Sequence, residues 1–260
     1  MADLNGIAAD LNQVTALALT NYGHFTSMRV DDNRVRGLSL HLERLVRDCH
    51  RVFDADLDPD RIRHVIRGAL VDAPRSIVVR VTVFDPHLEL GHCGGDAKPR
   101  LLVTTRPAAL TPPPPLRLQT AQYRREMPAV KHVGLFEPFR RRRIAQRRGF
   151  DDAVFTDADA VISEASTSNI GFVDGGRIVW PQAEYLAGVT MQLINQAHDE
   201  HIATMPVTLA DLAHVRAVFA TNAAIGVRPV SIIDGMQWPD EDPVLDTLRR
   251  QYDEIPPELL

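Results

Sequence analysis

Two residues stand out for the chemistry their types permit. Lys131 sits in the apolar run "MPAVKHVGLF", and the 29 basic residues of the chain include only one other lysine, Lys98. A desolvated amine gives up its proton more easily, and a neutral amine near pH 7 is what Schiff-base chemistry requires. Arginine cannot supply it. The alternative is a lysine at a strand end whose ammonium snorkels to solvent. Lys98, in the Gly/Pro-rich "GHCGGDAKPR", reads as an ordinary exposed residue. Glu164, in "VISEASTSNIGFV", is set among apolar and small residues and is followed by Ser166, Thr167, Ser168 and Asn169. Either it is a partly buried carboxylate held ionised by a cationic partner, or the segment is a turn whose hydroxyls satisfy backbone groups.

Other positions suit an anion. Gly188, Val189 and Thr190 fall at an expected helix start, where free N–H groups and the helix dipole favour phosphate. The strand end "FATNAAIGV", with Asn222 and Ala223, is either a second phosphate cradle or an ordinary turn. Arg44, in "SLHLERL", lies on the polar side of an expected helix and in isolation is a surface arginine. Arg140, Arg141, Arg142, Arg143, Arg147 and Arg148 surround any helix built there, which describes a solvated helix more than a phosphate-tracking stripe. A formal net charge of −5 argues against a broad nucleic-acid or anionic-membrane surface.

Cys49 falls on an apolar helical stripe and reads as a core thiol. Neither it nor Cys93 has metal-ligand spacing, so no metal site is expected. No run approaches the roughly 18 apolar residues of a membrane span, and the N-terminus lacks a secretory pattern. A cytoplasmic protein without nucleic-acid or membrane partners is the expectation.

The elements that must position these residues are legible in outline. Helical spacing marks residues 38–53 and 61–71. β-Branched runs mark strands at 76–84 and 100–105. The stretch "RPAALTPPPPLRL" cannot continue a helix or central strand. It suggests an N-terminal α/β domain over 1–107, a proline-rich linker over 108–116 and a C-terminal domain over 117–260. Strands are expected at 151–157, 215–221 and 227–234, a hairpin at 169–180 around Asp174-Gly175-Gly176, and a helix over 188–204.

Taken in order, "YGHFTSMRV", "HLERL", "VKH", "ISEASTSNIGFV", "LAGVT" and "TNAAIGVRPV" resemble the class IV aminotransferases. These are fold-type-IV pyridoxal-phosphate enzymes that include branched-chain and D-amino acid aminotransferases and aminodeoxychorismate lyase. The likeness runs from about Tyr22 to about Asp234, and the interval from Lys131 to Glu164 also looks like that of the family. It implies an α+β protein of two α/β domains: a small sandwich-like N-terminal one and a larger strand-rich, barrel-like C-terminal one that carries the lysine. The cofactor implied is pyridoxal 5'-phosphate and the assembly a homodimer.

By the same resemblance, Lys131 forms the aldimine with the cofactor and Glu164 contacts its pyridine nitrogen. Arg44 binds the phosphate, with the N–H groups of Val189 and Thr190 and with Asn222 or Ala223. Ser166, Thr167, Ser168 and Asn169 support cofactor and carboxylate. Arg29, Arg80 and Arg228 are candidates for the substrate carboxylate. Phe136 stands where branched-chain enzymes carry a tyrosine, and Phe84 and Asp85 stand near where D-amino acid enzymes carry an arginine. The expectation is amino transfer between an amino acid or related amine and a 2-keto acid. The alternatives are a lyase that releases pyruvate to give 4-aminobenzoate and, from another class, a non-catalytic arginine-rich binding protein.

Overall fold

The computed structural model describes residues 2–4, 7, 8, 10–198 and 202–260, with side chains from residue 10 onward. The chain forms two compact units. The first contains residues 1–110, Val130–Gly134 and Pro257–Leu260; the second contains Thr111–Ala129 and Leu135–Pro256.

The first unit is built on an antiparallel sheet. Its strands are β1 (Ala2–Leu4), β2 (Ile7–Ala8), β3 (His24–Asp31), β4 (Arg34–Val35), β5 (Ser76–Phe84), β6 (Arg100–Pro107) and the C-terminal strand Glu258–Leu259. The order across the sheet is C-terminal strand, β4, β3, β5, β6, β1, β2. Helix α1 (Leu11–Thr20) is capped at its start by the Asp10 side chain. Helices α2 (Leu38–Phe53) and α3 (Pro59–Ala69) begin differently: α2 at Gly37, α3 at the Asp58 side chain followed by Pro59.

Alternation along the strands decides which sheet face these two helices cover. Met28 and Val30 of β3 and Ile77, Val79, Val81 and Val83 of β5 form one core with Leu38, Leu42, Leu45, Cys49, Ile62, Val65 and Ile66. Burial pushes the Cys49 thiol up to about 11, consistent with a packed, unreactive side chain.

The second unit is a nine-stranded sheet. Its strands are β7 (Leu116–Gln122), β8 (Asp152–Thr156), β9 (Ile162–Ala165), β10 (Ser168–Asp174), β11 (Arg177–Pro181), β12 (Ala203–Met205), β13 (Ala217–Asn222), β14 (Gly226–Ile233) and β15 (Met236–Gln237). Pairing runs β10–β13–β14–β7–β8–β9 and returns to β10, closing a barrel; β11, β12 and β15 are added outside this ring. The β10–β11 hairpin turns at Gly175 and Gly176, both at positive φ, with Asp174 paired to Arg177. Helices α4 (Phe136–Arg147), α5 (Val189–Ala197) and α6 (Pro243–Glu254) complete the unit. Among the described residues, no helix is long and apolar enough to cross a membrane.

Two expectations change. The lysine segment Val130–Gly134 and the C-terminal Pro257–Leu260 belong to the first unit, not to one continuous domain over 117–260. The cause is backbone pairing. Phe25 N–H donates to Lys131 O at 2.8 Å, Val133 N–H to Gly23 O at 2.9 Å, and Leu260 N–H to Asn33 O at 3.0 Å. The helix expected over 188–204 ends at Ala197; Ala203–Met205 instead pairs parallel with β11, and residues 199–201 lie outside the described residues.

Candidate active site

Each unit gathers its own set of the candidate residues. In the first, β3 divides them by face. His24 and Thr26 point toward α2, whereas Phe25 points to the other side with Arg80 and Lys131. His24 and His132 form an isolated antiparallel bridge, so the lysine segment runs beside the start of β3. Lys131 is half-buried. Its Nζ lies 5.0 Å from the centre of the Phe25 ring, and the Arg80 guanidinium carbon stacks 3.6 Å from the same centre. Arg80 Nε also donates to Thr82 Oγ1 at 3.1 Å, and burial lowers its pKa.

The α2 face opposite His24 and Thr26 carries three polar residues in two turns: His41, Arg44 and Asp48, all buried. His41 Nδ1 and Thr26 Oγ1 are 2.7 Å apart. Burial, with the charges of Arg44 and Lys131 adding to it, holds His41 well below the usual imidazole range. Burial pushes His24 down to about 4 against the opposing pull of Asp48. Arg44 falls to about 10 through burial, partly offset by Asp48 one turn later. Arg29 is engaged through all three guanidinium nitrogens, to Asp31 at 2.8 Å, Ser76 at 3.0 Å and Ala109 O at 3.0 Å.

In the second unit, Glu164 lies on β9 with its side chain 5% exposed, and Arg125 Nε donates to its Oε1 at 2.7 Å. The carboxylate and the guanidinium compensate each other, as burial of two charges requires. Asn222 Nδ2 donates to Ser168 Oγ at 2.9 Å, and Asn222 Oδ1 accepts from Ala224 and Ile225 N–H, fixing the turn that contains Ala223. Asn169 reaches the segment ahead of α5. Its Nδ2 donates to Leu186 O at 2.7 Å and its Oδ1 accepts from Gly188 N–H at 3.0 Å. Gly188 is the N-cap and offers no side-chain cap, so the N–H groups of the first turn are not blocked from that side. A Cβ there would clash with Asn169 Oδ1. Thr190 Oγ1, in that first turn, and Thr221 Oγ1 are buried without a hydrogen-bond partner among the described residues.

A dipole-bearing helix start with buried, unsatisfied hydroxyls is chemically suited to a phosphate. Thr167 Oγ1 turns instead to Asp152 Oδ2 at 3.2 Å. Arg228 donates to Pro114 O at 2.7 Å and lines a cleft of about 360 Å³ with Pro112, Pro113, Ile225 and Tyr252. Among the described residues, no cluster of His, Cys, Asp or Glu is placed to hold a metal.

Three of these participants escape a reading of the sequence. Glu164 announces a need for a cation, but nothing local selects Arg125 from the many arginines. Asp48 is an ordinary polar letter in an amphipathic helix, and Thr221 is one near the end of a short buried strand. Phe136, at the start of α4, is 74% exposed.

Residues 23–233 match the family Amino-transferase class IV. Among curated proteins, the chain is 23% identical to a "Probable branched-chain-amino-acid aminotransferase" of Rickettsia bellii, over 97% of this chain and 94% of that one. It is 28% identical to a protein so named from Rickettsia felis, where the match covers 43% of this chain and 41% of the relative. Among solved structures, the branched-chain aminotransferase of the thermophilic archaeon Thermoproteus uzoniensis, with norvaline, superposes with a TM-score of 0.83 at 22% identity, covering 97% of this chain and 93% of that one. A protein described as a 4-amino-4-deoxychorismate lyase from Legionella pneumophila gives 0.77 at 21% identity, covering 92% and 93%. The barrel, the ordered motifs and a match across most of the chain agree: this chain belongs to the class IV aminotransferases, a family of pyridoxal-phosphate-dependent enzymes.

Proposed function

We propose that the chain transfers an amino group between an amino acid, or a related amine, and a 2-keto acid, with Lys131 as its catalytic residue. One observation carries the assignment. Of two lysines, one sits in an exposed loop, while Lys131 is held in a paired backbone segment with its amine against an aromatic ring. The residues present fit pyridoxal phosphate. Thr190 and Thr221 have buried hydroxyls that lack partners, and the start of α5 has no side-chain cap.

We assign the phosphate to Arg44 and to the N–H groups of Val189 and Thr190, with Asn222 and Ala223. Ser168 and Asn169 hold the barrel's share of these groups in shape, since they bond Asn222 and Gly188. Glu164 takes the ring nitrogen and keeps it protonated, and Arg125 fixes the carboxylate. When bound, the cofactor supplies the electron sink for the pair left at the substrate α-carbon. Lys131 Nζ would take the proton from the α-carbon of the amino substrate and, in the reverse half-reaction, deliver a proton to the α-carbon of the new amino product. Arg80 is the best placed of the three arginines for the substrate carboxylate, because its guanidinium shares the Phe25 ring with Lys131 Nζ. Arg29 is already fully engaged, and Arg228 is tied to Pro114. The reading includes a homodimer in the cytoplasm; exposed Phe136 and Phe139, at i and i+3 on α4, offer apolar surface for a second copy.

The test is direct. Purified protein should carry a visible cofactor absorption that Lys131→Ala abolishes and Lys98→Ala preserves. Covalently held cofactor in Lys131→Ala would overturn the assignment. A panel of 2-keto acid acceptors then separates amino transfer from a lyase, which would release pyruvate with no acceptor present.

A further inference from the structure

The buried carboxylate of Asp48 has no part in the roles assigned above. It is fully buried on α2, one turn after Arg44. One oxygen, Oδ1, takes two bonds from Arg47, at 3.0 Å from Nε and 2.7 Å from Nη2. The other, Oδ2, accepts the backbone N–H of Lys131 at 3.2 Å. Arg47 alone would satisfy the charge at the surface, where its own side chain is 44% exposed. Sinking the carboxylate so that its second oxygen meets the lysine segment costs desolvation, and that cost calls for a return.

The return is geometric. Val130–Gly134 is a short segment held within the first unit through Phe25 N–H to Lys131 O, Val133 N–H to Gly23 O, and Asp48. The first two lie at the start of β3 and at the residue just before it, and fix the segment in register. The third comes from the helix side and fixes the height of the Lys131 backbone against α2. The Lys131 side chain projects the other way, toward Phe25.

We infer that Asp48 is a positioning residue for Lys131: its carboxylate ties the backbone of the lysine to the helix turn that carries Arg44, so that one rigid element places both the amine and the arginine. The inference rests on the role assigned to Lys131, but the tie itself can be measured without the cofactor.

Amide hydrogen exchange on the full, cofactor-free chain reads it first. The Lys131 amide should be protected at least about a hundredfold, comparable to the amides of β3. Free exchange at Lys131 in the wild-type protein would overturn the proposal, whatever the cofactor does. Variants then separate positioning from general stability. Asp48→Asn keeps an acceptor oxygen and should retain both the protection and cofactor affinity within about threefold. Asp48→Ala should lose the protection and weaken cofactor binding on the order of tenfold, as expected for a hydrogen bond to a charged group. Val65→Ala, a cavity in the same core away from the lysine, should lower thermal stability and leave both readouts unchanged. Equal affinities in Asp48→Ala and wild type, or equal losses in Asp48→Ala and Val65→Ala, would reduce Asp48 to a stability residue. If Lys131→Ala still held cofactor covalently, the functional assignment would fail while the exchange result stood on its own.

Discussion

In the barrel unit a carboxylate and a guanidinium 2.7 Å apart are shut away together. In the sheet-and-helix unit, His41, Arg44 and Asp48 are spread along two turns of one helix, facing His24 and Thr26. The first arrangement neutralises charge locally, carboxylate against guanidinium. The second meets the same desolvation cost by mixed means: both histidines stay neutral, and Asp48 opposes the charges around it. The lesson concerns fragility. Removing a partner breaks a closed pair, whereas a seam that depends on neutral imidazoles is broken by protons supplied as the pH falls below neutrality.

The largest expected effect follows from the closed pair. Arg125→Leu leaves the Glu164 carboxylate in the barrel without its guanidinium, and chemical denaturation should show a loss of roughly 3–5 kcal/mol. The double variant Arg125→Leu/Glu164→Leu should recover most of it, because well-packed apolar replacements of a buried pair are often neutral. Failure of that recovery would mean that the pair supports more of the barrel than its own charges.

Acid tests the seam. In the unfolded chain, the His24 imidazole binds its proton near 6.5; in the folded chain it does so only at about 4. The unfolded state therefore holds more protons between these values, and stability rises with pH across the window and is lost as pH falls through it. His24 alone carries roughly 3 kcal/mol of this dependence as an upper bound, and His41 acts in the same direction. Melting temperatures measured from pH 7 to pH 4 should fall steeply, and His24→Phe should flatten the curve. An unchanged slope in that variant would remove His24 from the account.

Next in size comes the start of α5. In Gly188→Ala the added Cβ meets Asn169 Oδ1, which is itself bonded, so the side chain cannot swing away without losing contacts to Leu186 and Gly188. A cost of about 2 kcal/mol is expected. Adding Asn169→Ala should cost little more, since the two substitutions break one contact set. Full additivity would show that the glycine matters for some other reason.

How much of this the sequence discloses depends on the range of the interactions. Helices over 38–53 and near 61–71, the strands at 76–84 and 100–105 and the hairpin at Gly175-Gly176 follow from local periodicity and turn chemistry, and they appear at nearly the expected bounds. Lys131, Glu164 and Gly188 are visible as letters out of place: an amine among arginines, a carboxylate among apolar residues, a glycine opening an apolar helix. Their partners are not visible. Arg125 meets Glu164 across 39 residues and Asp48 meets Lys131 across 83, and no local pattern encodes which distant segment will supply a charge. The same limit explains why the lysine segment joins the first unit. Its backbone bonds to Gly23, Phe25 and Asp48, all distant in the chain, place it there. The helix expected to reach 204 fails for a similar reason, because its last residues find a strand partner in β11.

The smallest expected effect gives the comparison its scale. Helix α4 holds arginine–glutamate contacts of the same chemical type as the buried pair. Arg141 Nε lies 3.0 Å from Glu137 Oε2 and Arg140 Nη1 3.5 Å from it, with side chains 31–49% exposed. Distance differs little between Arg141–Glu137 and Arg125–Glu164; solvent differs greatly. In water-facing surroundings the Coulomb gain is screened, and each partner retains hydration when the other is removed. Glu137→Gln should therefore cost no more than about 0.5 kcal/mol, and that small loss should shrink further in molar salt. A loss of several kcal/mol would show that this face of α4 is covered in solution, as a second copy of the chain on Phe136 and Phe139 would cover it. The denaturation midpoint of Glu137→Gln then depends on protein concentration, whereas that of a monomer does not.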